Sequence, residues 1–216
     1  MNWKHLLFGR PSEESRLTPE LTDRIRASFD EASRDNEHFP DTIDSRIYHV
    51  KLVLEHLGEV GNGRVLDAGC GKGRFARIVQ ERNPEAEVWG LDISDEMLKF
   101  VQPPLHAKQG VLTGLPFPDA HFDGVYATES LEHAVDIPKA VGELCRVLKP
   151  GGRLIIIDKN AEHFGRLETP EWERWFSRKE LEKLLARDCG KVSSRFISYW
   201  EDVEPDGLFL AWLAEK

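Results

Sequence analysis

An α/β fold, with a mostly parallel sheet and helices on both faces, is predicted by three observations. From residue 64 onward, apolar runs of strand length alternate with segments of helical apolar spacing, the pattern of repeated βαβ units. The first run opens into glycines at alternate positions, Gly69, Gly71 and Gly73, before Phe75, Ala76, Ile78 and Val79 resume with helical spacing. That is a buried strand, a tight turn and a helix start. Two final apolar runs bring the predicted strands to seven.

Taken in order, residues 1–16 are polar around Gly9-Arg10-Pro11 and are predicted to be loosely held. Thr18-Pro19-Glu20 starts a helix, with a capping hydroxyl and then proline in the first turn. Leu21, Ile25 and Phe29 give that helix one apolar face. After Pro40 a second helix is predicted over 42–57, with Ile43, Ile47, Val50, Leu54 and Leu57 as its stripe. Strands are predicted near 65–67, 88–92, 105–109, 124–127 and 154–157, joined by helices near 74–81, 96–101 and 138–148. Leu148-Lys149-Pro150-Gly151-Gly152 is read as a glycine turn that ends a helix and launches the most hydrophobic strand. Ser177-Arg178-Lys179-Glu180 is a capping box for a helix through Leu181, Leu184 and Leu185, and strands near 192–200 and 207–213 follow. No repeat or linker divides the chain, so 1–216 reads as one domain, a helical segment over 1–60 preceding a core over 61–216.

Composition narrows the classes. The chain is 40% hydrophobic and 31% charged, ordinary values for a water-soluble protein. No apolar run approaches the roughly 20 residues that span a bilayer, and MNWKHLLFG lacks the length and cleavage site of a signal peptide. A cytoplasmic location is the expectation. The net charge is −9 with Lys and Arg scattered, which disfavours long nucleic acids as partners. Cys70, Cys145 and Cys189 show no paired metal spacing.

The glycine turn decides between two ligands. A nicotinamide-binding turn places its third glycine at position 74, where this chain has Arg74, and does not call for Asp67. Three further blocks follow in order. Val88 to Ser94 ends a strand on Asp92, 19 residues beyond Gly73, where a carboxylate can accept both ribose hydroxyls. LPFPDAHFDGVYATESLEH runs from Leu115 to His133, and LKPGGRLIIID from Leu148 to Asp158.

D-x-G-x-G-x-G resembles motif I of the class I S-adenosylmethionine-dependent methyltransferases, and the ordered blocks over about residues 60–158 resemble the methyltransferase type 11 branch. The resemblance implies a Rossmann-like core with a short N-terminal helical lid, S-adenosylmethionine as cofactor and S-adenosylhomocysteine as product. It implies in-line transfer of methyl to an O, N, S or C nucleophile of a small-molecule acceptor. A catalytically silent binding or regulatory subunit is the alternative. The acceptor and the oligomeric state, homo-oligomer or not, stay open.

Residue by residue, the resemblance implies that Asp67 holds the methionine ammonium, directly or through water, and that Gly69, Gly71 and Gly73 let the backbone approach the ligand, with Cys70 beside the cofactor as a small residue that fits the turn. By the same resemblance Asp92 is expected to chelate the ribose, Ile93 to lie against adenine, and Leu112 and Thr128 to border the cofactor, while Met97 either lines the adenine slot or belongs to the core. Val111 stands where the family usually has an acid for the adenine amino group, so either backbone groups of Val111 and Leu112, or Thr113, serve instead, or weaker adenine discrimination is expected. Glu129-Ser130-Leu131-Glu132-His133 is similar to the metal-site run of small-RNA 2′-O-methyltransferases and to a run in ubiquinone-pathway O-methyltransferases. With His163 this implies a candidate Mg²⁺, Mn²⁺ or Zn²⁺ site of Glu129, Glu132, His133 and His163. The competing reading is a turn with capping carboxylates, leaving His133 and His163 as candidate general bases. Arg46, Tyr48 and His49 are lid candidates, and Trp172, Trp175 and Phe176 are candidates for the acceptor pocket or for core, with Glu171, Glu173 and Arg174 facing water.

Overall fold

The computed structural model describes residues 17–216, so the expectation for 1–16 lies outside the described residues. Seven strands run β1 (Arg64–Ala68), β2 (Glu87–Asp92), β3 (His106–Gln109), β4 (Phe122–Thr128), β5 (Leu148–Lys159), β6 (Lys191–Ile197) and β7 (Phe209–Glu215). They lie in the order β3-β2-β1-β4-β5-β7-β6, all parallel except β7, which is antiparallel to both its neighbours. Helices α1 (Pro19–Ala32), α2 (Tyr48–Leu57), α3 (Arg74–Arg82), α4 (Asp95–Leu98), α5 (Ile137–Val147) and α6 (Arg178–Leu185) complete the fold. The predicted fold class is the observed one.

The central strands are apolar on both sides because both sides are covered. Successive side chains alternate between faces. Leu66, Val125, Ile156 and Trp212 pack with Leu144 of α5 and Leu181 and Leu185 of α6. Val65, Tyr126, Ile155 and Ala211 pack with Val50, Val53 and Leu57 of α2 and Phe75 and Val79 of α3. Helix α1 joins neither face. Its Leu21 and Ile25 rest on Val135, with Ile93 and Trp172 alongside, so it roofs the C-terminal ends of the strands.

The helix starts follow their caps. Thr18 accepts the Leu21 N–H, Asp136 the Lys139 N–H and Ser177 the Glu180 N–H. Three expectations are corrected. Helix α2 begins at Tyr48 rather than residue 42, because the Asp44 carboxylate takes the Arg46 N–H at 2.9 Å and turns the chain aside. The helix expected over 96–101 is the single turn α4: its continuation tightens to i→i−3 bonds, and Pro103-Pro104 cannot extend it. Strand β5 begins at Leu148, which pairs with Phe122, so the Pro-Gly-Gly segment is an irregularity inside a long strand. Its backbone is held by the chain end, Gly151 donating to the Lys216 carbonyl at 2.7 Å.

Trp212 is fully buried, packs edge-on to Phe176 and donates its indole N–H to the Arg178 carbonyl at 3.0 Å. Trp212→Ala is expected to lower stability by about 3–5 kcal/mol in urea denaturation, with Trp212→Phe intermediate because it keeps much of the volume and loses the hydrogen bond.

Candidate functional site

Strands β1 and β4 are neighbours, but the sheet grows from them in opposite directions, towards β2 on one side and β5 on the other. Such a switch opens a crevice at the carboxyl ends of the strands. A cavity of about 550 Å³ fills it, lined from the β1, β2 and β4 ends, the segment after β3, α1 and residues 167–173.

The turn after β1 is shaped by a close approach. Gly69 has φ 84°, and a Cβ there would lie 2.3 Å from the Ser130 Cβ, so no other residue fits. Both the Gly69 and Cys70 N–H groups donate to the Leu91 carbonyl, at 2.7 and 2.9 Å. Burial pushes the Cys70 thiol well up, so it is an inert wall residue. Asp92 ends β2 and ties the loops together: one oxygen accepts the Gly71 N–H at 2.8 Å, the other the Ser94 N–H at 2.9 Å. Ser94 in turn caps α4 through the Met97 N–H.

The roof is bound to this corner. Ser94 donates its hydroxyl proton to Asp30 of α1 at 2.6 Å, and the Lys72 ammonium reaches Asn36 just beyond α1 at 2.7 Å. Phe29 stands edge-on to the His133 ring, centroids 5.0 Å apart, and Phe39 packs on Phe29.

Of the residues singled out in the sequence, Gly69, Cys70, Asp92, Ile93, Val111, Leu112, Thr128, Glu129, Glu132 and His133 all line the cavity. Asp67, Gly71 and Met97 do not. Asp67 is buried beneath the turn with no hydrogen-bond partner on either oxygen; burial pushes its carboxyl up to about 7, against the lowering effect of the nearby Tyr126 hydroxyl. Gly71 directs its N–H to Asp92. Met97 is 1% exposed, turned into the protein by the one-turn geometry of α4.

The expected metal set is not assembled. His163 lies beside Gly207, outside the cavity lining, and Glu129 is not grouped with Glu132. Among the described residues, the donors that converge are Glu132, His133 and Glu173, with ligand atoms within 4.8 Å of one another. A cation is already there: Lys159 pairs with Glu132 and, at 3.2 Å, with Glu173. The donor set is therefore filled by an ammonium and does not fit an added ion. Glu173, expected to face water, is 3% exposed, because it also accepts the Trp175 indole N–H at 2.6 Å. Burial and the Asp158 charge push the Glu132 carboxyl well up, while Lys159 pulls it down. Burial depresses His133 to about 4, so its imidazole is neutral at pH 7.

The lid candidates of the second helix are corrected as well. Arg46 is exposed on Asp44, Tyr48 lies under Arg195, and His49 is buried between Tyr199 and Phe209. Trp172 lines the cavity, whereas Trp175 and Phe176 are core. Sequence reading passed over Arg74, Phe29, Phe39 and Lys159 as site residues, all of which line the cavity together with Thr113, the expected substitute adenine contact. A signal existed for two of them: Phe29 continues the α1 stripe towards the strand ends, and Arg74 is a charge set directly behind a glycine turn.

A family model described as "Methyltransferase domain" matches residues 66–156. A demethylmenaquinone methyltransferase of Listeria monocytogenes is 31% identical over 173 residues, covering 74% of this chain and 70% of the relative. Another, of Thermus thermophilus, is 38% identical over 116 residues, 50% of this chain and 51% of its own length, so the chain spans about half of that relative. In three dimensions the chain is similar to geranyl diphosphate C-methyltransferase of Streptomyces coelicolor, solved with Mg²⁺, geranyl diphosphate and S-adenosyl-L-homocysteine. The TM-score is 0.70 at 16% identity, covering 92% of this chain and 98% of that one, a likeness of fold.

The raised Asp67 carboxyl has a consequence for stability. With a folded value of about 7 against an ordinary 3.8, the folded protein keeps a proton that the unfolded chain releases. Asp67 therefore costs stability as pH rises from about 4, and the cost is complete above about 7. Asp67→Asn is expected to gain on the parent between about pH 4 and pH 8, by on the order of a few kcal/mol. Urea denaturation of the ligand-free proteins at both pH values measures the gap; a gap independent of pH contradicts it.

Proposed function

The chain belongs to the class I S-adenosylmethionine-dependent methyltransferases, and we propose that it binds S-adenosylmethionine along the ends of β1 and β2 and passes the methyl group to a small, largely apolar acceptor held beneath α1. The observation that carries this reading is the cavity at the β1/β4 switch, which the glycine turn, Asp92 and the 110–113 segment all line. The adenine lies against Ile93, bordered by Val111, Leu112 and Thr113. The Val111 side chain has no hydrogen-bonding group, so recognition of the adenine amino group falls to backbone groups and Thr113. Asp92 takes the ribose hydroxyls on the lone pairs that Gly71 and Ser94 leave free.

The methyl group is already activated by its sulfonium, so the protein's share is alignment and exclusion of water. The acceptor's nucleophilic atom attacks the methyl carbon in line, the carbon–sulfur bond breaks with its electrons left on sulfur, and S-adenosylhomocysteine departs. Phe29, Phe39 and Trp172 offer the acceptor apolar and aromatic surface. His133, neutral and depressed to about 4, is too weak a base to strip an ordinary hydroxyl; it orients the acceptor by hydrogen bonding. Lys159 is occupied by Glu132 and Glu173, so that cation is not available to a carboxylate or phosphate on the acceptor. An uncharged ring, as in the substrate named for the two relatives above, suits this end.

Calorimetric titration of cofactor-stripped protein with S-adenosylmethionine and S-adenosylhomocysteine is expected to give one site for each. Asp92→Asn is expected to weaken both about ten- to a hundred-fold, the loss of charge-assisted hydrogen bonds. Wild-type protein that binds neither at millimolar ligand overturns the reading. Phe29→Ala and Trp172→Ala are expected to leave those affinities within about two-fold while raising KM for an acceptor found by labelled-methyl screening, each truncation removing apolar contact worth about 1–3 kcal/mol.

A further inference from the structure

One of the three cysteines sits in the glycine turn; the other two meet on the opposite face of the sheet. Cys145, in the last turn of α5, and Cys189, just beyond α6, place their sulfurs 3.9 Å apart across a sequence separation of 44. Both belong to the core beneath α5 and α6, and neither lines the cavity. Two other small apolar residues would fill that space, so what sets the pair apart is how their backbones are held. The end of β7 grips both. The Lys216 ammonium takes the Cys145 carbonyl at 2.8 Å and the Leu148 carbonyl at 2.9 Å, and Gly190 donates its N–H to the Glu215 carbonyl at 3.0 Å. Cys189 donates its own N–H to the Leu185 carbonyl at 2.9 Å. Backbone partners thus hold the two positions together, and a disulfide needs an approach of only about 2 Å.

The two thiols are unequal. Cys145 is 1% exposed; Cys189 is 7% exposed, yet Ala186, Arg187, Asp188 and Gly190 around it are all exposed, so it lies one layer below solvent. The hydrogen bond shared with Cys145 lowers the Cys189 thiol from its ordinary value, helped by the Lys216 ammonium and opposed by burial and the Asp188 charge. Cys145 is pushed up by the same hydrogen bond and by burial. The thiolate is the attacking species in disulfide exchange, which gives the pair an order: Cys189 attacks and Cys145 resolves.

We propose that Cys145 and Cys189 form a reversible dithiol site that closes to a disulfide in the folded protein, with a small-molecule disulfide of the glutathione class as the oxidant. The Cys189 thiolate attacks one sulfur of the oxidant and expels the other as a thiolate, leaving a mixed disulfide. The Cys145 thiol then gives up its proton and attacks the Cys189 sulfur, expelling the second thiolate. The two protein sulfurs are oxidised, the two sulfurs of the oxidant are reduced, and the expelled thiolates take up the two protons. The new bond staples α5 to the segment after α6, and the chain between them carries all of β5 and the 167–173 wall of the cavity. Closing a loop of that length restricts the unfolded chain far more than the folded one, so oxidation stabilises the fold.

The test incubates the native full chain with oxidised glutathione, alkylates the remaining thiols in denaturant and maps tryptic peptides. Peptides 140–146 and 188–191 are expected as one linked species, and peptide 65–72, which carries Cys70, as the alkylated free peptide. The melting temperature is expected to rise by about 5 °C or more and to return on addition of dithiothreitol. Cys145→Ala is expected to retain one glutathione on Cys189 without such a rise, and Cys189→Ala to take up none. Three free thiols after native incubation, a glutathione that stays on wild-type Cys189 without closure, or a linked species that forms only in urea overturns the site. A linked protein whose melting temperature is unchanged or lowered overturns the staple.

Discussion

Asp92 joins two loops with one carboxylate, taking the Gly71 N–H from the turn after β1 and the Ser94 N–H at the start of α4. Those donors belong to segments far apart in sequence, and a charged acceptor is the strongest local means of fixing them together. Through Ser94 the tie continues to Asp30 of α1. The turn, the end of β2 and the roof are thus one hydrogen-bonded unit, and the cavity has a defined width because of it. The residue proposed to hold the ribose is the same one that holds the walls, so ligand and scaffold share one acceptor.

The cavity is electrically uneven, and the unevenness divides it into working parts. Near the β1 turn the charges are open: Arg74 and Glu129 face the space without pairing. At the other end they are closed on themselves, with Glu132, Glu173 and Asp158 gathered about Lys159. Three buried carboxylates gathered about one ammonium favour retention of a proton, and Glu132 is pushed up accordingly. Between the two ends the lining is apolar and aromatic, from Ile93 on one side to Phe29 and Trp172 on the other.

Most of the framework was legible in the chain. The strand runs, the glycine turn, the caps at Thr18 and Ser177 and the seven-strand count are local patterns, and local chemistry realises them. The errors have local causes of another kind: the Asp44 carboxylate diverted the start of α2, and the backbone of Gly151 found a partner in Lys216, turning an expected loop into part of β5. Both depend on which groups compete for a particular N–H. The cavity residues of the motif blocks were legible because those blocks lie on the strand ends. Met97 was misplaced because apolar spacing along one turn does not say which way the turn faces.

By itself the sequence determined the order of elements, the parallel sheet and the positions of the glycine turn and Asp92, since periodicity, capping and positive φ are properties of a few neighbouring residues. Tertiary structure alone decided that α1 roofs the strand ends, that Glu173 is buried, that His163 stands apart from His133 and that Lys159 pairs with Glu132 and Glu173. Those facts rest on contacts between residues distant in the chain. Whether a carboxylate is solvated, paired or left open depends on what the fold brings within about 4 Å of it, the range at which an ion pair forms, and no local pattern carries that distance.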